Sequence, residues 1–175
     1  ANPKTLQGAA KLASSLGFNG VDINMGCPVK EVVSKGAGAA LCKNFDLTAE
    51  IIAAVKAGAR DIPVSIKTRL GFDSIISKEW CGFLLEQKLS ALTVHGRTSK
   101  QMSDVPADWN EIKKAVEIRN KIAPDTVIIG NGDVLSYQEA LAKAKKYKLD
   151  GIMIGRGIFA NPWVFKKGSL YQPSP

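Results

Sequence analysis

The sequence contains one histidine, His95, and three cysteines, Cys27, Cys42 and Cys81, with no CxxC spacing. One imidazole excludes a multi-histidine metal centre. An odd, scattered cysteine set argues against both a disulfide framework and a cysteine-ligated zinc site. No apolar run is long enough to cross a bilayer, and no basic-apolar-small leader opens the chain. The chain starts at Ala1 rather than Met, so its natural start is expected upstream. Acidic residues are also in deficit: 16 Asp and Glu against 24 Lys and Arg leave a net charge of +8. That balance suits an anionic partner, nucleic acid foremost, or simply a basic solvated surface. Unpaired thiols suit a reducing cytoplasm, the expected location. At 175 residues the chain suits one domain with a real core.

What is present is regular alternation. "KTLQGAAKLASSL" (4–16) places Leu6, Ala9, Ala10, Ala13 and Leu16 at helical spacing, and a strand from Gly20 to Asn24 follows. "DLTAEIIAAVKAGA" (46–59) predicts a helix with Asp46 as N-cap, and "PVSIKTRLG" (63–71) a strand. Ser77 to Lys88, "DWNEIKKAVEIRNKI" and "SYQEALAKAKKYK" predict three more helices. "SALTVHGRT", "DTVIIGNGDV" and "LDGIMIGRGIF" predict three more strands. Their continuous Val/Ile/Leu runs suggest a parallel sheet buried on both faces.

Such alternation fits a doubly wound sheet or a (β/α)₈ barrel. Every predicted strand ends in a polar or glycine cluster: Asn24-Met25-Gly26-Cys27, Lys67-Thr68-Arg69, His95-Gly96-Arg97, Gly130-Asn131-Gly132-Asp133 and Gly155-Arg156-Gly157. Function at every strand's C-terminal end marks a barrel, whereas a doubly wound sheet concentrates it at one switch point. The expected fold is therefore α/β, a TIM barrel present as an incomplete barrel of about five β/α units.

The last two clusters suggest a phosphate cradle, because a barrel commonly binds phosphate with the loops after its final strands. Lys67 and Arg69 share one strand face and suit an electron-rich ring, a phosphate or only solvent. His95 alone could be structural or functional. Cys27 could be an ordinary core thiol, but Gly26 and Pro28 fix it at a strand end, and the loop with Gly36 and Gly38 could let a substrate approach. Cys42 and Cys81 lack such punctuation and receive no role.

Taken together, "DINMGCP" (22–28), "KGAGAAL" (35–41), "IKTRLG" (66–71), "VHGRT" (94–98), "ADW" (107–109), "GNGD" (130–133) and "IGRG" (154–157) resemble the dihydrouridine synthases, flavin enzymes that reduce uridine in transfer RNA. The resemblance runs from Gly20 to Phe165, and the cysteine motif is its specific part. It implies an FMN-binding barrel domain over residues 1–165, lacking the first three strands, then a tail over 166–175. By the same resemblance the family's C-terminal helical tRNA-binding domain is expected to be absent from this segment. One departure is Ser103-Asp104-Val105, where family members often carry Tyr-x-Gly.

The resemblance also implies a chemistry: NADPH reduces FMN, hydride passes to C6 of uracil, and Cys27 protonates C5 from the opposite face. A thiol of ordinary acidity, with a pKa of about 8.5, can act as such an acid near neutral pH. By the same resemblance Lys67, His95, Asn131, Gly132, Asp133, Gly155 and Arg156 bind the cofactor. Asn24, Arg69 and Arg97 are the expected substrate contacts. No metal and no membrane partner are implied, and the full-length protein is expected to be a monomer. Two alternatives remain: an FMN-dependent small-molecule dehydrogenase of the dihydroorotate dehydrogenase type, and a non-catalytic RNA- or phosphate-binding barrel. An open five-strand sheet exposes an edge, so the segment alone is expected to reduce uridine poorly or not at all.

Overall fold

The computed structural model describes residues 1–166. Among the described residues seven α-helices and five strands follow in the order α1 (Pro3–Ser15), β1 (Val21–Met25), α2 (Lys30–Val33), α3 (Phe45–Ala59), β2 (Val64–Arg69), α4 (Ser77–Glu86), β3 (Ala91–His95), α5 (Trp109–Ile122), β4 (Val127–Asn131), α6 (Tyr137–Tyr147), β5 (Gly151–Met153) and α7 (Gly157–Ala160), with a 3₁₀ helix at Gly38–Lys43 between α2 and α3. The five strands form one parallel sheet in the order β1-β2-β3-β4-β5. A doubly wound sheet would reverse direction at its switch point. Sequential order without reversal is the barrel topology, so the chain is five consecutive units of a (β/α)₈ barrel.

Polar side chains mark where α1, α3, α5 and α6 begin, whereas α4 follows Ile76 without a side-chain cap. Asn2 accepts from the Thr5 amide, Asp108 from those of Asn110 and Glu111, and Ser136 from that of Glu139. For α3 the cap is Asn44, which accepts from Leu47, and not the expected Asp46, which lies one residue inside the helix. Phe45 therefore joins the helix and stacks on Phe83, with Trp80 beside both. Trp80 is fully buried, and its indole N–H donates to Thr68 Oγ1. That bond lets a polar threonine lie under the helix layer without an orphaned hydroxyl.

The core lies between the sheet and the helices. Ile23, Met25, Val64, Ile66, Leu92, Val94 and Ile128 meet Ile51, Ile52 and Val55 of α3, Leu84 and Leu85 of α4, and Ile112 and Val116 of α5. The opposite face is not buried as the apolar runs suggested: β2 alternates buried and half-buried residues, and Asp22 and Asn24 of β1 are exposed. Side chains alternate across a strand, and only the helix-covered face meets a packing partner here. Register places Arg69, His95, Asn131 and Met153 in one row across the other face, the interior side of the barrel.

The expected final strand is short. Extended backbone stops at Met153, and Gly157–Ala160 is helical. The glycine loop after Cys27 is likewise more ordered than its sequence suggests, because α2 and the 3₁₀ helix occupy most of it. Apart from Lys166, the expected tail lies outside the described residues.

Candidate active site

At the end of β1 the chain turns on Asn24, whose Oδ1 accepts from the amides of Gly26 and Cys27, both at 3.0 Å. Arg69 Nε donates to the Gly26 carbonyl at 2.9 Å, and the Ala39 amide donates to the Cys27 carbonyl at 2.9 Å. Gly38 makes the second contact possible. Its φ is +58°, and a Cβ there would lie 2.6 Å from the Cys27 carbonyl oxygen and 2.9 Å from Val32 Cγ1. The glycine loop thus seats the cysteine backbone. Cys27 is half-buried, while Cys42 and Cys81 are buried free thiols. Burial pushes Cys42 up to about 11 against the opposing pull of Lys43. It pushes Cys81 up to about 12, with Glu111 adding to the effect.

Lys67, His95, Asn131, Gly132, Asp133, Gly155 and Arg156, the seven expected cofactor residues, all line one cleft of about 610 Å³ over the ends of β2 to β5. Its size is that of an ordinary small-molecule site. The Lys67 ammonium makes no hydrogen bond or ion pair among the described residues, and the pKa falls through burial and the nearby Arg69 charge, partly offset by Asp22. A half-buried, unpaired cation facing a cleft is suited to an anionic or electron-rich ligand. The two glycine clusters divide by geometry. A side chain on Gly155 would meet open space, whereas one on Gly132 (φ +136°) would lie 2.5 Å from Ala107 Cβ. Gly132 lets the loop before α5 close over the cleft, and Gly155 leaves room beside it.

His95 sits within a polar chain. Asn131 Oδ1 lies 2.9 Å from His95 Nδ1, and Arg97 Nη1 lies 3.3 Å from Nε2. Burial first, then the charges of Arg69 and Lys67, push the imidazole down to about 4, against the Asn131 hydrogen bond. Arg97 is 3% exposed, with Nε donating to the Val105 carbonyl and Nη2 to Asp133. Asp133 also accepts from the Ala107 amide and from Arg156. Burial opposes its ionisation, but these donors and the two guanidiniums outweigh it and hold the carboxyl below its usual range.

The expected substrate residues do not share the cofactor cleft. Asn24 and Cys27 lie at the β1 end. Arg69 bridges, joining Gly26 on one side to the Thr98 and Met102 carbonyls at 3.0 and 3.1 Å on the other. The Arg97 guanidinium is enclosed by Val105, His95 and Asp133. Ser103, from the segment that departs from the family pattern, lines the cleft, as does Met153. Met153 carries no chemistry-bearing motif, and only its register with Asn131 signals its position.

A family model described as "Dihydrouridine synthase (Dus)" matches residues 1–174. The chain belongs to the dihydrouridine synthase family. It is 47% identical over 155 residues to a "Probable tRNA-dihydrouridine synthase" of Staphylococcus aureus, covering 88% of this chain and 47% of that protein. A "Probable tRNA-dihydrouridine synthase 2" of Bacillus subtilis is 46% identical over the same shares of each chain. The chain thus spans about half the length of these relatives. Among solved structures, morphinone reductase in complex with tetrahydroNAD superposes with a TM-score of 0.62 at 16% identity, covering 97% of this chain and 49% of that one. An old yellow enzyme homologue from Zymomonas mobilis gives 0.61 at 18% identity, covering 95% and 52%. A 2,3-dimethylmalate lyase of the PEP mutase/isocitrate lyase superfamily gives 0.62 at 17% identity, covering 93% and 59%. These likenesses show the dihydrouridine synthase segment to have a fold shared by several enzymes. No described helix is long and apolar enough to cross a membrane.

Proposed function

We propose that the full-length protein reduces uridine in transfer RNA to 5,6-dihydrouridine, using FMN as cofactor and NADPH as reductant. The observation that carries this reading is one cleft holding all seven family-matched residues, with an unpaired Lys67 ammonium on the strand beside the Cys27 loop. The donor set fits a flavin. Lys67 supplies a cation for the ring, His95 an uncharged contact, and Asn131, Gly132, Gly155 and Arg156 suit the ribityl phosphate. When bound, FMN supplies hydride to C6 of the uracil.

The chain's own residues do the rest. Cys27 Sγ–H delivers a proton to C5 from the opposite face, which completes saturation of the 5,6 double bond, and the thiolate recovers its proton from solvent. With Asn24 Oδ1 occupied by the turn, Nδ2 remains to donate to a uracil carbonyl. Arg69 holds the Cys27 loop in place through Gly26. The target base must leave its stack, at a cost of a few kcal/mol. The net charge of +8 offsets part of this through phosphate contacts. The basic surface and a tRNA substrate agree with an intracellular, cytoplasmic site of action.

The test uses the full-length protein, given NADPH and tRNA lacking dihydrouridine, with Cys27→Ala in parallel. Flavin absorbance and new dihydrouridine are expected, with formation lowered about 10²- to 10⁴-fold in the variant and the flavin retained. Flavin without tRNA reduction would favour a small-molecule dehydrogenase, and absence of flavin would favour a binding scaffold.

A further inference from the structure

Both ring nitrogens of the chain's one histidine are committed, and the commitments fix its tautomer. Asn131 Nδ2 donates to the Met153 carbonyl at 2.8 Å, so its Oδ1 is the atom that meets His95 Nδ1 at 2.9 Å. An amide oxygen only accepts, so Nδ1 carries the hydrogen. Nε2 is then a lone pair, and it faces Arg97 Nη1 at 3.3 Å, a group that can only donate. A protonated imidazole would oppose hydrogen against hydrogen there.

Arg97 is in turn fixed. Its Nε bonds the Val105 carbonyl, and Asp133 takes Nη2 from the end of β4 while also holding the Ala107 amide. Three loops therefore converge on one buried guanidinium and its carboxylate: the one joining β3 to α5, through Arg97, Val105 and Ala107, the one after β4 and, through Arg156, the one after β5. The charged groups acting on the imidazole are Lys67 and Arg69 from β2 and Arg97 from beyond β3, all cationic. Asp133 reaches it only through Arg97.

We propose that Arg97, held by Asp133, is a positioning residue that fixes His95 as the neutral Nδ1–H tautomer, so that the imidazole meets a bound ligand as an oriented, uncharged group and never as a proton donor. Its consequence for catalysis rests on the flavin reading of the cleft. Positive charge at the cleft then comes from Lys67 and Arg156 and not from the imidazole, and the proton for the substrate comes from Cys27 alone. Asp133 contributes through Arg97 and the Ala107 backbone.

Selective ¹⁵N-histidine labelling of the full-length protein tests this, with the His95 signals assigned by their loss in His95→Gln. The expected wild-type spectrum shows a protonated Nδ1 and an unprotonated Nε2, unchanged from pH 8 to pH 5. A protonated Nε2, averaged signals or titration in the ordinary imidazole range would overturn the proposal, and this result requires no variant to fold. In Asp133→Asn and Arg97→Lys, the Nε2–H form is expected to appear and the titration midpoint to rise toward the ordinary range. Folded variants with wild-type His95 signals would remove Arg97 and Asp133 from the role. Flavin absorbance separates the two ideas. A protein without flavin whose His95 keeps the Nδ1–H form sinks the flavin reading but supports the positioning role, while a flavin-loaded protein with a titrating His95 does the reverse.

Discussion

The two sides of the strand-end rim are held by opposite means. At the β1 end Cys27 is seated by backbone groups: its amide on Asn24, its carbonyl on Ala39, and the preceding carbonyl on Arg69. At the β3–β5 corner side chains grip side chains, with Arg97, Asp133, His95 and Asn131 in one connected set and the exposed Arg156 at its rim. The difference follows from what each side handles. Under the proposed uridine reduction, a thiol that approaches a flipped base needs its side chain free, which suits a loop fixed through its main chain. A cation-lined cleft needs charge in place before the ligand arrives, so its polar groups are locked to one another.

Cysteine reactivity is the broadest way to break this comparison. Displacement of Cys42 to about 11 and Cys81 to about 12 leaves them almost no thiolate at pH 8. An alkylating reagent followed by peptide mass mapping should modify Cys27 at least ~100-fold faster than either. Comparable labelling of the three would mean that the β1 end is not the distinct, accessible environment described.

The locked corner has a pH signature. His95 has a folded pKa of about 4 against an ordinary 6.5, so the unfolded chain binds the extra proton between these values. Stability is therefore complete above pH 6.5 and falls as pH drops toward 4, by roughly 3 kcal/mol from this residue. Urea midpoints of wild type and His95→Gln, compared at pH 7 and pH 4.5, should differ in slope by that share. Parallel curves would show that the corner does not hold the imidazole neutral.

Gly38→Ala probes the backbone-held side. A positive φ and a contact of 2.6 Å with the Cys27 carbonyl oxygen combine to cost about 2 kcal/mol. Faster alkylation of Cys27 should accompany the lower melting temperature as its loop loosens. Unchanged stability would mean that the 3₁₀ segment does not brace the cysteine.

Arg156→Gln should do least to the fold. This side chain is 68% exposed at 3.3 Å from Asp133, a geometry worth less than about 1 kcal/mol. Under the flavin reading it should instead weaken cofactor retention, measured by flavin content after gel filtration. A large drop in melting temperature would make Arg156 part of the locked network and not a rim contact.

Much of this was legible in the sequence because alternation and strand-end punctuation are local signals. The order of elements, the parallel sheet and the polar clusters at the strand ends follow from where apolar runs stop, whereas a shared site for Lys67, His95, Asn131 and Gly155 was implied by the family resemblance. After Cys27 the sequence marks only a loop holding Gly36 and Gly38. Its short helices depend on Val32, Ala39 and Leu41 finding neighbours, and so does the replacement of Asp46 by Asn44 as the cap of α3. Arg97 sits among conspicuous polar residues, and nothing local distinguishes a cation that meets a ligand from one buried behind a histidine.

The sequence by itself determined the sheet, its direction and the side of it on which polar groups gather, because strand and helix periodicity is written residue by residue. Only the tertiary structure decided which of those groups are free and which are spent on one another. Hydrogen-bond partners such as Arg97 and Asp133 come from the loops after two different strands, 36 residues apart, and a donor's availability is settled by the acceptors that packing brings to it.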